Sequence, residues 1–86
     1  MTELNLRYFA WVRERIGTAH ESIELPGDIA TVADLLGWLK TRGPEYEHAF
    51  EQTDVIRTAI DQTHVPHETP IAGAHEVAFF PPMTGG

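Results

Sequence analysis

The stretch of this 86-residue sequence whose residue types could do chemistry is its end, Pro81-Pro82-Met83-Thr84-Gly85-Gly86. Glycine has no Cβ, so a Gly-Gly terminus is thin enough to enter a narrow channel in a partner. The carboxylate of Gly86 is also unhindered. A carboxylate is a poor electrophile and must first be activated, for example as an acyl-adenylate. A sulfur donor can then displace the nucleotide and leave a thiocarboxylate. Mounted on a folded domain, that sulfur can be delivered to a substrate held by another protein, with proximity supplying the rate advantage. Pro81-Pro82 is a stiff spacer, because each ring fixes φ and neither residue donates a backbone hydrogen bond. Gly-Gly also occurs in linkers and frayed ends. The terminal position, the spacer and the lack of a rival nucleophile favour a reacting end. Gly86 is then a substrate-bearing terminus, and Met83, Thr84 and Gly85 are the tail that carries it.

Competing constellations are weak. There are no cysteines, which excludes disulfides, thiolate metal sites and a thiol nucleophile. His64 and His67 are three apart, but Pro66 and an expected strand spoil helical ligand geometry, and no further ligands join them, so no metal is expected. Glu45, Glu47 and Glu51 read as the wet side of a surface helix. With 13 acidic and six basic residues the net charge is −7. The cations Arg7, Arg13, Arg15, Lys40, Arg42 and Arg57 are scattered, so no stripe exists for nucleic acid. The acidic balance favours a partner with a basic surface, or serves solubility alone. No apolar run is long enough to span a membrane and no signal-peptide pattern opens the chain, so a cytoplasmic location is expected.

The elements that must position the tail follow from periodicity. Glu3–Phe9 alternates as a strand, with Leu4, Leu6 and Tyr8 on one face. Ala10–Ile16 reads as a short helix stopped by Gly17, and His20–Leu25 as a second strand antiparallel to the first. Thr31 is a good N-cap, with Asp34 as its capping-box acid. Val32, Leu35, Leu36 and Leu39 line one face of the helix that follows, which Gly43 (left-handed) and Pro44 are expected to end. A short helix over Pro44–Gln52, a strand over Val55–Ile60, a turn at Asp61-Gln62-Thr63, a short strand around Val65 and a last strand over Glu76–Phe80 complete the order. This is an α+β pattern, a mixed sheet with a crossover helix. The smallest familiar fold with that order is the ubiquitin-like β-grasp, with residues 1–82 as the domain and 83–86 as the tail.

Phe79-Phe80-Pro81-Pro82-Met83-Thr84-Gly85-Gly86 resembles the C-terminal signature of the small-subunit family of molybdopterin synthase. Leu6-Arg7-Tyr8-Phe9-Ala10-Trp11-Val12-Arg13-Glu14 with Gly17 resembles that family's opening. Ala59-Ile60-Asp61-Gln62-Thr63 resembles its strand and turn. The resemblance covers nearly the whole chain, and its FFPP-to-GG ending is the specific part. It implies a β-grasp fold and a sulfur-carrier cycle in molybdenum cofactor biosynthesis. An E1-like adenylating enzyme would use ATP to activate Gly86, and a sulfurtransferase would convert it to the thiocarboxylate. The tail would then enter the large subunit of molybdopterin synthase, where sulfur is donated to cyclic pyranopterin monophosphate. The family's assembly is a heterotetramer of two small and two large subunits, in which this chain would be a non-catalytic donor that binds no cofactor itself. Three positions depart from the family pattern: Asp61 in place of Asn, Gly73-Ala74-His75 in place of a turn with Asp and Gly, and His64 in place of an apolar residue.

Alternation sends Phe79 into the core beside Val77 and Phe80 to the opposite face; Phe9 likewise points away from Leu4, Leu6 and Tyr8. Exposed together, Phe9 and Phe80 would form a docking patch, with the Pro81-Pro82 spacer as a further partner contact. Arg13 is a candidate contact for an acidic surface on a partner, or else a member of a surface ion pair. The bland alternative is that helix packing or the tail covers both rings. Two other functions remain open from the residues: a sulfur carrier for thiazole synthesis, and a conjugated ubiquitin-like modifier.

Overall fold

A computed structural model describes residues 2–82 of the chain, so the expectations for Met83, Thr84, Gly85 and Gly86 lie outside the described residues. Five strands form one mixed sheet in the order β2-β1-β5-β3-β4. They are β1 (Thr2–Tyr8), β2 (His20–Leu25), β3 (Arg57–Ile60), β4 (Thr63–Val65) and β5 (Glu76–Phe80). The helices are α1 (Ala10–Ile16), α2 (Val32–Lys40) and α3 (Pro44–Ala49). β1 pairs antiparallel with β2 and parallel with β5, and β5 pairs antiparallel with β3. The parallel pair needs a crossover, which α2 and α3 supply. This is the expected β-grasp, α+β arrangement.

One face of the sheet and one stripe of each helix make the core. Leu4, Leu6 and Tyr8 of β1 and Val77 and Phe79 of β5 meet Val12 and Ile16 of α1 and Val32, Leu35, Leu36 and Leu39 of α2. Tyr8, Phe50 and Phe79 form an aromatic triangle with centroids 5.3–6.4 Å apart. Each such pair adds about 0.5–1.5 kcal/mol beyond area burial.

The capping box of α2 is complete. Asp34 N–H donates to Thr31 Oγ1 at 3.2 Å, and Thr31 N–H donates back to Asp34 Oδ2 at 3.2 Å. Gly17 ends α1 as expected, at φ 96°, where an L side chain is strained. The end of α2 differs from expectation. Thr41 and Arg42 close it with N–H donations to Trp38 O and Leu39 O, both 3.0 Å, before Gly43 is reached. Gly43 is extended (φ 162°, ψ 167°) and instead precedes Pro44 as the N-cap of α3. That helix stops at Ala49 rather than running to Gln52. The strand expected from Val55 begins only at Arg57, and Thr53–Val55 is a 3₁₀ turn. The reason lies across the sheet: Arg57 pairs with Phe80, and the next residue along that strand, Pro81, has no N–H to extend the ladder.

The β3–β4 hairpin turns on Asp61 and Gln62, at φ 47° and 73°. Positive φ at both positions matches the twist of the flanking strands, and Asn or Asp tolerates it better than most residues. Asp61 Oδ1 also accepts the N–H groups of His75 and Glu76, at 3.1 and 2.9 Å. Asp61 thus ties the hairpin to the start of β5, a role its carboxylate oxygen fills as an Asn carbonyl would.

Candidate docking face and tail mount

β5 has a paired strand on each side, so the backbone that leads to the tail is anchored along its length. Its last residue, Phe80, is held against Arg57 of β3, and Tyr8 lies opposite Phe79 on the β1 side. Pro81 and Pro82 leave the sheet half-buried. Whatever follows them is launched from the central strand rather than from a loose edge.

β1 ends beside this launch point. Phe9 N–H donates to Phe79 O at 3.1 Å, and Phe9 O then accepts from Val12 and Arg13 N–H at 3.1 and 3.3 Å as α1 starts. The reversal passes through Ala10 at φ 53°, a left-handed conformation that costs a residue with a Cβ about 1–2 kcal/mol. The turn leaves the Phe9 ring 40% exposed on the face away from the helices. There it meets the Phe80 ring edge-on, centroids 6.5 Å apart and planes at 81°. On its other side Phe80 meets the His64 ring at 5.1 Å.

Two alanines make this contact possible. Ala59 lies opposite both Ala78 and His64. Both alanines are buried, at 6% and 7% exposure, yet neither belongs to the core cluster. They lie on the open face, covered by larger neighbours, so His64 and Phe80 can lean across them. Phe80 is therefore half-buried where alternation alone implies full exposure, and neighbouring rings cover part of it rather than a helix. Arg7 stands over the Phe9 ring at 5.5 Å and reaches Glu76 at 4.0 Å. Arg13 is exposed on α1 and, among the described residues, makes no ion pair.

A second polar centre fixes the end of β1 from the core side. Glu21 Oε2 accepts the hydroxyls of Tyr8 and Tyr46 at 2.8 and 2.7 Å, and its Oε1 accepts Arg42 Nη1 at 2.9 Å. Burial alone would raise the Glu21 pKa, but the hydrogen bonds from Tyr46, Tyr8 and Arg42, with the Arg42 charge, hold it below the usual value. Burial, then the bond to Glu21, pushes Tyr46 up to about 12, and Tyr8 is raised further for the same reasons. Sequence reading missed this hub. The signal was a tyrosine on a core face, whose hydroxyl needs a partner, and Glu21 alternating on the face of Ile23.

The two histidines three apart do separate things. His67 Nε2 bonds to Ile56 O at 2.8 Å, while His64 lies exposed against Phe80. Among the described residues no group of three His, Cys, Asp or Glu could hold a metal ion. No helix of the described residues is long and apolar enough to cross a membrane. The arrangement supplies a rigidly mounted exit and an aromatic face beside it.

The ThiS family model matches residues 6–86. The chain is 39% identical over 83 residues to the molybdopterin synthase sulfur carrier subunit of Haemophilus influenzae, covering 96% of this chain and 99% of that protein. It is 35% identical to the Escherichia coli protein of the same name, with the same coverage. The fold is similar to the crystal structure of SAMP1 from Haloferax volcanii, with a TM-score of 0.71, 26% identity, and coverage of 99% of this chain and 100% of that one.

Proposed function

The chain belongs to the ThiS family, and from that premise we propose that it is a sulfur carrier of molybdenum cofactor biosynthesis that acts as the small subunit of molybdopterin synthase. The observation that carries this reading is the likeness to two sulfur carrier subunits across nearly the whole length of each. The family match also runs through to Gly86, the residue whose chemistry the reading requires.

In the proposed cycle an E1-like enzyme joins the Gly86 carboxylate to the α-phosphate of ATP and releases pyrophosphate. The persulfide of a sulfurtransferase then attacks the acyl carbon and AMP leaves; a thiol cleaves the resulting acyl disulfide, forming a disulfide with the sulfurtransferase sulfur and leaving the thiocarboxylate on Gly86. The loaded tail enters the large subunit, and sulfur passes to cyclic pyranopterin monophosphate. The dependence on ATP fits a cytoplasmic setting. This chain's residues hold, orient and dock the tail, and the catalytic groups belong to the partners. Phe9 and Phe80 supply the apolar centre of the docking face, Pro81 and Pro82 the spacer, and Arg13 a flanking charge.

The test is to delete Gly86, or to add one residue after it, and assay molybdopterin formation with the large subunit. Both changes are expected to abolish activity while the domain's melting temperature stays put, since a terminus past the sheet has little to hold. Full activity in either variant sinks the reading. The intact mass of the native protein, showing one oxygen replaced by sulfur, separates a carrier from a conjugated modifier, which appears as protein-sized adducts.

A further inference from the structure

The net charge of −7 says nothing about which charges stand beside Phe9 and Phe80, and there two arginines border the rings. β1 sends Glu3, Asn5 and Arg7 to the open face, and β2 sends Ser22 and Glu24 there, as the Ser22 Oγ bond to Asn5 Oδ1 at 2.7 Å records. Glu3 pairs in register with Glu24, which puts both at the end of β1 remote from Phe80. At the near end the residues are Arg7 with Glu76 beside it, Phe9, Phe80, Arg57 and His64. Two of the chain's six basic side chains therefore flank the exposed Phe9 and the half-buried Phe80.

These cations differ in how they are held. Arg7 is laid over the Phe9 ring and has Glu76 at 4.0 Å. Arg57 lies opposite Phe80 in the ladder and is exposed. Asp54 and Glu68 line the same groove as Arg57, but among the described residues no carboxylate comes within ion-pair distance of it. Opposed residues in an antiparallel pair are only about 4.5–5.5 Å apart at Cα. A partner that covers Phe80 must therefore also cover or border Arg57. A cation that loses water at an interface without a counter-charge opposes binding, whereas a matched one guides docking.

We propose that the partner surface that receives Phe9 and Phe80 is an apolar socket rimmed by carboxylates, placed to meet Arg57 and Arg7. This rests on the docking reading above and reverses the expectation, drawn from net charge, of a basic partner surface. His64, leaning on Phe80, adds a nitrogen-bearing ring to the same rim and fits a polar neighbour better than an apolar one.

The sign of a charge-reversal effect decides the matter. Calorimetry would measure binding to the cognate large subunit at low salt for the unaltered chain, Arg57→Glu and Arg57→Lys. Arg57→Glu is expected to weaken binding about tenfold, with a slower association rate, and Arg57→Lys to stay within about threefold. The Arg57→Glu deficit should shrink as salt rises, because screening removes its cause. An Arg57→Glu affinity within about threefold of the unaltered chain, or tighter, overturns the proposal. Should circular dichroism show that Arg57→Glu has lost its fold, Arg7→Glu on β1 is read against the same limits. No binding by the unaltered chain is a separate failure, which overturns the docking reading itself.

Discussion

The Phe9 and Phe80 rings meet edge to face, 6.5 Å apart, although the residues lie 71 positions apart in the chain. The parallel pairing of β1 with β5 brings them together, and the left-handed turn at Ala10 keeps Phe9 out of the core. An apolar pair of this kind on an open sheet face is where a partner gains most from burial.

Phe80→Asp should weaken association with the large subunit by about 2 kcal/mol or more, the usual scale for an aromatic anchor. The domain should stay folded, because the ring belongs to the open face and the core is closed by Phe79. Calorimetry and thermal unfolding on the same preparation check both halves. Unchanged affinity removes Phe80 from the interface.

The Glu21 hub sets two limits on stability against pH. The folded Glu21 pKa lies below its ordinary 4.5, so its contribution is present above about pH 4.5 and is lost as pH falls through the folded value. Tyr46 is raised from 10.0 to about 12, so its contribution is whole below about pH 10 and is lost as pH rises toward 12. Urea unfolding across pH should show Glu21→Gln flattening the acid limb and Tyr46→Phe the alkaline limb, relative to the unaltered chain. Tyr46→Phe should also cost about 1.5 kcal/mol at neutral pH, the scale of a hydrogen bond to a charged acceptor.

The hairpin turn should respond in opposite directions at its two residues. Gln62 sits at φ 73° with an exposed side chain, so Gln62→Gly should stabilise by about 0.5–1 kcal/mol. Asp61→Ala removes the acceptor of two backbone N–H groups and should destabilise by about 1–3 kcal/mol, whereas Asp61→Asn keeps the oxygen and should be nearly neutral. Chemical denaturation midpoints order the three variants.

Thr58 is 2% exposed, and its Oγ1 has no hydrogen-bond partner among the described residues. Thr58→Val keeps the branched shape that suits a strand and replaces the unpaired hydroxyl with a methyl. It should stabilise by about 1 kcal/mol. A loss of stability in thermal unfolding would show that the hydroxyl is satisfied in solution.

Much of the fold was legible because its signals are local. Thr31 and Asp34 announced the start of α2, the alternation of Leu4, Leu6 and Tyr8 announced β1, and Gly17 announced the end of α1. A neighbour in space decided the start of β3, and the backbone of its own last turn decided the end of α2. β3 starts at Arg57 because Pro81 cannot extend the ladder from across the sheet. α2 ends before Gly43 because Thr41 and Arg42 already satisfy its last carbonyls.

By itself, the sequence determined what depends on residue type and short-range spacing: the strand and helix order, the apolar face of each element, and the Pro81-Pro82 pair that follows the last strand. The tertiary structure alone decided which charges share a surface. Arg7, Arg57 and His64 are separated by 50, 7 and 57 positions pairwise, and no local pattern links them. Strand register places them around Phe9 and Phe80, because hydrogen-bonded ladders fix neighbours across the sheet regardless of distance along the chain. Net charge is a sum over residues and carries no positions, so it pointed to a basic partner although the fold sets Arg7 and Arg57 beside Phe9 and Phe80.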